Sequence, residues 1–367
     1  MRRVIVFLAV TAVIIMSAGL FTGCDNRERL HIFNWAYYTP QSVIAAFEQE
    51  YGVRVVYTIF NSNEEMLARL MAGGGQGLFA RLFGGGAGFD VVFPSGDYVA
   101  IMMRLGMLER LDHSLLPNLV HVDPEILAKA LYDPTMQYSV PYFFGAAGII
   151  VNTEMVPEFE RDISIFARTD LNQGHIRRMT MLDDPRQVIG DALNYLGFSV
   201  NSRNPEEIAA ARDHVINHWR PNLVQFDSDT IGQGFANGEF WVVQTWAENV
   251  FYWIGENEHL LQNSYFFFPP GASSYTDNMV ILRDAPNVEL AHRFINFIHR
   301  PDIYAMFVDE FGLPATVNIP ARELTQATPW YTLEELFSAT DEIQDDVGPA
   351  MTYYTDAWLA IRFGIGN

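Results

Sequence analysis

Residues 30–60 read LHIFNWAYYTPQSVIAAFEQEYGVRVVYTIF, and the changes of period inside that stretch decide the fold class. Leu30 to Phe33 is a short apolar strand, and Val53 to Phe60 is rich in the β-branched and aromatic residues that suit a pleated, half-buried surface. Between them Val43, Ile44, Phe47 and Tyr51 follow helical spacing over Pro40 to Glu50, with Gly52 as the stop. Ser62 and Glu65 make a capping box that opens a further helix. Phe89 to Phe93 then reads as a buried strand and Asp97 to Leu105 as a helix ended by Gly106. The order βαβαβα implies a parallel sheet wrapped by helices, whose ligands sit beyond the carboxyl ends of the strands. The loops Asn34–Thr39 and Pro94–Tyr98 fall at those ends.

Outward from this unit, a second α/β run begins near Pro141. It has strands at Ile149–Val151 and Phe240–Thr245, a loop at Leu182–Gln187 leading into a helix that ends near Gly197, and a helix at Pro205–Trp219. Tyr265–Phe268 and Met279–Leu282 are strand-like, and helices over Val288–His299 and Pro301–Phe311 precede a helical tail. A chain of 367 residues, 49% hydrophobic and only 18% charged, is too long for one compact core and has the material for two.

The N-terminus places the chain. Arg2-Arg3, an apolar run from Val4 to Leu20, and Phe21-Thr22-Gly23-Cys24 form a secretory leader ending in a relaxed lipobox. Cys24 is the only cysteine, useless to a disulfide framework and suited to lipidation at the leader boundary. The alternative is an uncleaved membrane helix, because the run approaches bilayer length. The lipoprotein reading gives a mature chain that starts at Cys24 and is held by lipid at a membrane, in the periplasm or on the cell surface. The formal charge is -21, and loss of Arg2 and Arg3 makes it still more negative. Such an acidic body repels nucleic acid.

Between Met71 and Asp90 lie eight of the 27 glycines, which predicts a mobile surface loop. No Gly-Lys-Ser/Thr ends it and no G-x-G-x-x-G opens a helix, so a phosphate cradle is not favoured. The pairs Leu78-Phe79 and Leu82-Phe83 offer instead a small apolar knob for a partner or membrane.

Collinear phrases carry a resemblance: Phe33-Asn34-Trp35-Ala36-Tyr37-Tyr38, Ser62-Asn63-Glu64-Glu65-Met66, Val92-Phe93-Pro94-Ser95, Tyr138-Ser139-Val140-Pro141-Tyr142, Leu182-Asp183-Asp184-Pro185-Arg186, Trp246, Tyr275-Thr276-Asp277, Arg300-Pro301-Asp302 and Gln344-Asp345-Asp346-Val347-Gly348. In order and spacing they resemble the spermidine/putrescine-binding proteins of bacterial ABC importers, over nearly the whole mature chain. The resemblance implies a two-lobed type II periplasmic-binding-protein fold, each lobe a mixed sheet flanked by helices. Residues 1–23 are then the leader, 24–140 and 277–315 one lobe, and 141–276 and 316–367 the other. Hinge crossings are expected near Val140–Tyr142, Tyr275–Asp277 and Leu313–Asn318. It further implies a monomer that captures a polyamine, closes and docks on an ABC permease, with no cofactor, metal or catalytic residue.

A polyamine is a methylene chain carrying ammonium groups, so its site needs carboxylates for the charges and flat rings for the carbons. The resemblance assigns Trp35, Tyr38, Trp246 and Tyr275 as the rings, Asp184 and Asp277 as acidic anchors, and Ser95 and Gln344 as polar contacts. Asp97 and Glu248 lie beside matched positions and are added as further acids. Each has a plainer reading. Asp184 suits a cap with Pro185 at the first helical position, Asp277 a turn, and Asp97 and Glu248 first-turn helix residues. Where spermidine binders place a hydroxyl and an acid this chain has Ala36 and Tyr37; Gln187 replaces a second acid near Asp184, and Leu313 a tyrosine. Fewer carboxylates favour the diamine putrescine, since a buried unpaired charge costs several kcal/mol. Asp97 could restore the missing acid and reverse that preference.

Other classes are weaker. Ferric receptors share the architecture and use adjacent tyrosines, which Tyr37-Tyr38 and Tyr353-Tyr354 offer, yet no His/Asp companion set accompanies them. No H-E-x-x-H or G-x-S-x-G occurs, and Asp183-Asp184 or Asp345-Asp346 as sequence neighbours do not make facing glycosidase acids.

Overall fold

The computed structural model describes residues 27–364 apart from 37, 74–86, 173–175 and 256. The leader with Cys24, Tyr37, and the glycine-rich stretch with its Leu-Phe pairs lie outside the described residues. Among the described residues ten strands follow one another: β1 (Arg29–Trp35), β2 (Arg54–Phe60), β3 (Val91–Val92), β4 (Ser139–Ala146), β5 (Gly148–Asn152), β6 (Met179–Met181), β7 (Leu223–Phe226), β8 (Val242–Thr245), β9 (Ser264–Phe267) and β10 (Ser274–Ile281).

They form two five-stranded sheets, ordered β2-β1-β3-β10-β4 and β7-β6-β8-β5-β9. β1 runs parallel to β2 and β3, as the βαβ pattern predicts. β10 enters from far along the chain and pairs antiparallel with β3 and β4, so the sheet is mixed. The second sheet repeats the scheme, β6 lying parallel to β7 and β8 while β5 pairs antiparallel with β8 and β9.

Helices cover both sheets, and their ends follow local chemistry. The helix Gln41–Tyr51 stops at Gly52, whose φ of 66° a residue with Cβ adopts only under strain. Pro185, Pro205 and Pro301 each open a helix, where the missing N–H removes no bond. The helix expected over Pro205–Trp219 is regular to His214 and continues as a π turn over Val215–Trp219. The Ser62 hydroxyl accepts from Glu65 N at 3.1 Å, while the Glu65 carboxylate reaches back to Asn61 N at 3.0 Å.

The chain passes between the sheets where β4 ends at Ala146 and β5 begins at Gly148, again between β9 and β10, and a third time near Ile343, which forms a bridge with Ser274. These places correct the sequence-based boundaries. Residues 141–146 belong to the first sheet because β4 holds an antiparallel register with β10 from Ser139 to Ala146. The stretch Leu313–Asn318 is no crossing: Asn318 bridges Val122 and its amide donates to His299 O at 3.0 Å, inside the first half. Farther on, the 320–339 segment lies along both halves, with Phe337 stacked on Phe144 of β4 and Trp330 stacked on Phe251.

Candidate functional site

Between the sheets lies a cleft enclosing about 190 Å³, lined from the carboxyl ends of strands. β1 delivers Trp35 and Tyr38, β2 is followed by Asn61 and Asn63, and Ser95 follows β3. From the second sheet come Asp184 after β6 and Trp246 and Glu248 after β8. β10 adds Tyr275 and Asp277, and Gln344 enters from the third passage. The structure thus brings together every expected binding residue except Asp97.

Asp97 is a correction. It sits in the first turn of the helix Gly96–Arg104, buried at 4% exposure and outside the cleft wall, in the field of Arg186, Glu64 and Asp184. Burial pushes its carboxyl up to about 7 against the pull of Arg186.

Asp277 is the best-defended acid. Its Oδ2 accepts from Tyr38 Oη at 2.7 Å and its Oδ1 from Ser95 Oγ at 2.6 Å. Ser95 is itself held by Asn63, whose Nδ2 donates to Ser95 Oγ at 3.1 Å and whose Oδ1 accepts from Ser95 N at 3.2 Å. Tyr38 is fixed from behind, its carbonyl accepting from Tyr142 Oη at 2.8 Å. Burial still pushes the Asp277 carboxyl up to about 6, because hydroxyl donors do not replace a counter-charge. Nearby Glu248 is pushed up to about 7 by burial, to which the charge of Asp277 adds. The Tyr38 and Tyr275 hydroxyls, buried beside both acids, are driven far above the usual phenol range.

Asp184 serves as a helix cap and also reaches the cleft. Its Oδ1 caps the helix Pro185–Tyr195 by accepting from Gln187 N at 2.9 Å, and the residue lines the cleft. Burial pushes it up to about 6, to which the charge of Glu64 adds.

Ser228, Asp229, Asn249, Tyr252, Trp253 and Phe311 also line the cleft and were not expected. Asp229 follows β7 in a polar turn where its N–H donates to Asp227 Oδ1 at 2.8 Å, and such a turn gives no sequence signal that it faces another domain. Asn249 and Trp253 share a helical face with Glu248 neighbours, a periodicity readable once Glu248 is placed. No Lys, Arg or His belongs to the wall among the described residues.

Of the two tyrosine pairs offered for iron, Tyr353-Tyr354 does not reach the cleft, whereas Tyr38 lines it and Tyr37 lies outside the described residues. Tyr354 is fully buried in the second half, donating to Val200 O at 3.2 Å and Ser202 O at 2.9 Å, and Tyr353 is 47% exposed. Among the described residues no group of three His, Cys, Asp or Glu side chains is placed to hold a metal ion.

The model of bacterial extracellular solute-binding proteins matches residues 42–358. The chain belongs to this family. A spermidine/putrescine-binding periplasmic protein of Salmonella typhimurium is 31% identical to this solute-binding protein over 346 residues, 93% of each chain. A putrescine-binding periplasmic protein of Escherichia coli is 30% identical, covering 85% of this chain and 84% of its own. Among solved structures, a lipoprotein of Treponema pallidum superposes with a TM-score of 0.83 at 43% identity, over 92% of this chain and all of that one. The fold is therefore the type II periplasmic-binding-protein fold, and the relatives of this solute-binding protein are binding proteins and not enzymes.

Proposed function

We propose that this protein captures polyamines, putrescine foremost and spermidine as well, in the cleft between its two sheets and hands them to an ABC permease. One observation carries the reading: Asp184, Asp229, Glu248 and Asp277 share a wall with Trp35, Trp246 and Tyr275, and that wall has no basic side chain among the described residues. A ligand that neutralises the acids of the cleft and lies along indole and phenol faces is an aliphatic ammonium. Each well-placed ring contributes about 0.5–2 kcal/mol beyond the charge-assisted hydrogen bonds. The names of the relatives from Salmonella typhimurium and Escherichia coli support the same ligand class.

Gln187 stands in the cleft wall where a second acid near Asp184 would serve a longer amine. This supports the diamine preference. The lobes built on the two sheets turn about the three passages; ligand contacts made from both sides favour the closed form, which the permease recognises. Lipid on Cys24 holds the mature chain at the outer side of a membrane, a reading in accord with the Treponema pallidum lipoprotein. Calorimetric titration with putrescine, spermidine, cadaverine and a neutral diol of similar length tests the proposal. Micromolar or tighter binding of the amines without heat from the diol is expected; equal binding of amine and diol overturns it.

A further inference from the structure

Behind the cleft wall a buried carboxylate settles which way round two amides lie. Asp191 and Gln187 stand one turn apart on the helix Pro185–Tyr195 and share a face. Gln187 and Gln344 line the cleft; Asp191, 4% exposed, does not. Both Asp191 oxygens accept from Gln187 Nε2, at 3.1 and 3.0 Å, and Oδ2 also accepts from Gln244 Nε2. Gln244 is pinned at its other end, its Oε1 accepting from Leu182 N at 3.2 Å.

Burial pushes Asp191 up to about 7, while the donors from Gln187 and Gln244 favour its ionised form, which only accepts, whereas an amide has one donating and one accepting end. The Asp191 contact therefore turns the Gln187 carbonyl toward Gln344 and Ser273. Gln187 Oε1 accepts from Gln344 Nε2 at 3.2 Å and from Ser273 Oγ at 3.4 Å. Gln344 Nε2 has a second acceptor in Ser273 Oγ at 3.0 Å. With that nitrogen committed, the carbonyl oxygen is the polar end that Gln344 has left for the cleft.

We propose that Asp191 is a positioning residue that sets the amide orientation of Gln187 and, through it, of Gln344, so that the cleft offers a carbonyl oxygen to a ligand that only donates. The inference rests on the polyamine reading above. An ammonium has no lone pair, so a reversed Gln344 would set N–H against N–H. Asparagine at 191 has the shape of aspartate but a donor end as well. It would let the whole chain reverse without losing a hydrogen bond, which is why the position needs an acid.

The test compares putrescine with 4-amino-1-butanol, in which one ammonium becomes a hydroxyl that also accepts. Titrations are made on the wild type, Asp191→Asn, the double variant Asp191→Asn/Gln344→Glu, and Gln187→Met. In Asp191→Asn the preference for putrescine over the amino alcohol is expected to shrink about tenfold, the size of one misdirected charge-assisted contact. Unliganded melting should stay near the wild type. Adding Gln344→Glu should restore the preference, because a carboxylate has no reversed orientation. An unchanged preference in folded Asp191→Asn, or a loss that Gln344→Glu leaves untouched, overturns the proposal. If Asp191→Asn does not fold, Gln187→Met decides: it cuts the link while leaving the Asp191–Gln244 contact, and an unchanged preference there overturns the proposal. A wild type that binds no amine overturns the polyamine reading instead, and this inference with it.

Discussion

Asp277 holds two hydroxyl donors and, among the described residues, no basic side chain, so its charge is a liability in the unliganded protein. Asp277→Asn keeps the shape and removes that charge. Unliganded melting should hold or rise slightly, while putrescine affinity falls at least about tenfold, the least expected when a charge-assisted contact is lost. Lower unliganded stability would make Asp277 a structural residue instead. The same physics sets a pH dependence. The folded protein keeps protons on Asp184 and Asp277 up to about 6 and on Glu248 up to about 7, whereas the unfolded chain releases them near ordinary carboxylate values. Their contribution to unliganded stability is therefore present in acid and lost as pH climbs through about 6–7. An ammonium favours the ionised acids, so binding expels protons and affinity should rise from about pH 5 to about pH 8. Titrations in buffers of different ionisation enthalpy measure that release, and a pH-independent affinity without proton release would contradict it. Sequence made Asp184, Asp277, Trp246 and their partners legible because they sit in phrases kept in order along the chain. Asp97 failed because adjacency to a matched residue does not fix where a side chain points. Asp229 and Asn249 stayed hidden because only the second sheet's placement turns them to the cleft.

Long periodic elements were read within a residue or so; the helix Pro301–Phe311, bounded by Pro301 and by Gly312 at φ 61°, is one. β6 and β7, with three and four residues, are too short to show a period, and Pro141 inside β4 disguised a strand that lies on a sheet edge. The third crossing was misplaced because the 313–318 stretch and the 343 region are both irregular, and only the pairing of Ser274 with Ile343 tells them apart. Element packing gives its own prediction at Gly232, in the helix Ile231–Ala236. A Cβ there would stand 2.3 Å from Asn249 O and 2.5 Å from Trp253 Cδ1, atoms of the helix Ala247–Ile254 that carries Glu248. A backbone carbonyl does not step aside, so Gly232→Ala must part the two helices. It should cost about 1–3 kcal/mol of stability, the usual range for overpacking, and weaken amine binding by moving Glu248. Chemical denaturation and titration of the same sample check both; unchanged stability would mean the helices separate freely.

At the scale of the molecule, closure joins two acidic halves, and the contacts that span them should govern how long a ligand stays. Arg104 ends the helix Gly96–Arg104 in the first half and pairs with Asp346, whose carbonyl accepts from Arg203 of the second half at 2.9 Å. Arg104 is 59% exposed and Asp346 only 11%, so the pair is screened on one side and contributes no more than about 1 kcal/mol. Spent wholly on the closed form, that is about a fivefold change in the closing equilibrium. Arg104→Ala should therefore speed putrescine release by a few-fold while the capture rate and the unliganded melting temperature stay put. Salt separates this latch from long-range attraction. The net charge of -21 draws cations toward the cleft, so raising ionic strength should slow capture in wild type and variant alike, while the difference in release rate between them narrows. Stopped-flow following tryptophan fluorescence, with Trp35 and Trp246 at the wall, gives both rates. Equal release from wild type and Arg104→Ala at low salt would show that the pair forms equally in the open state and does not report closure.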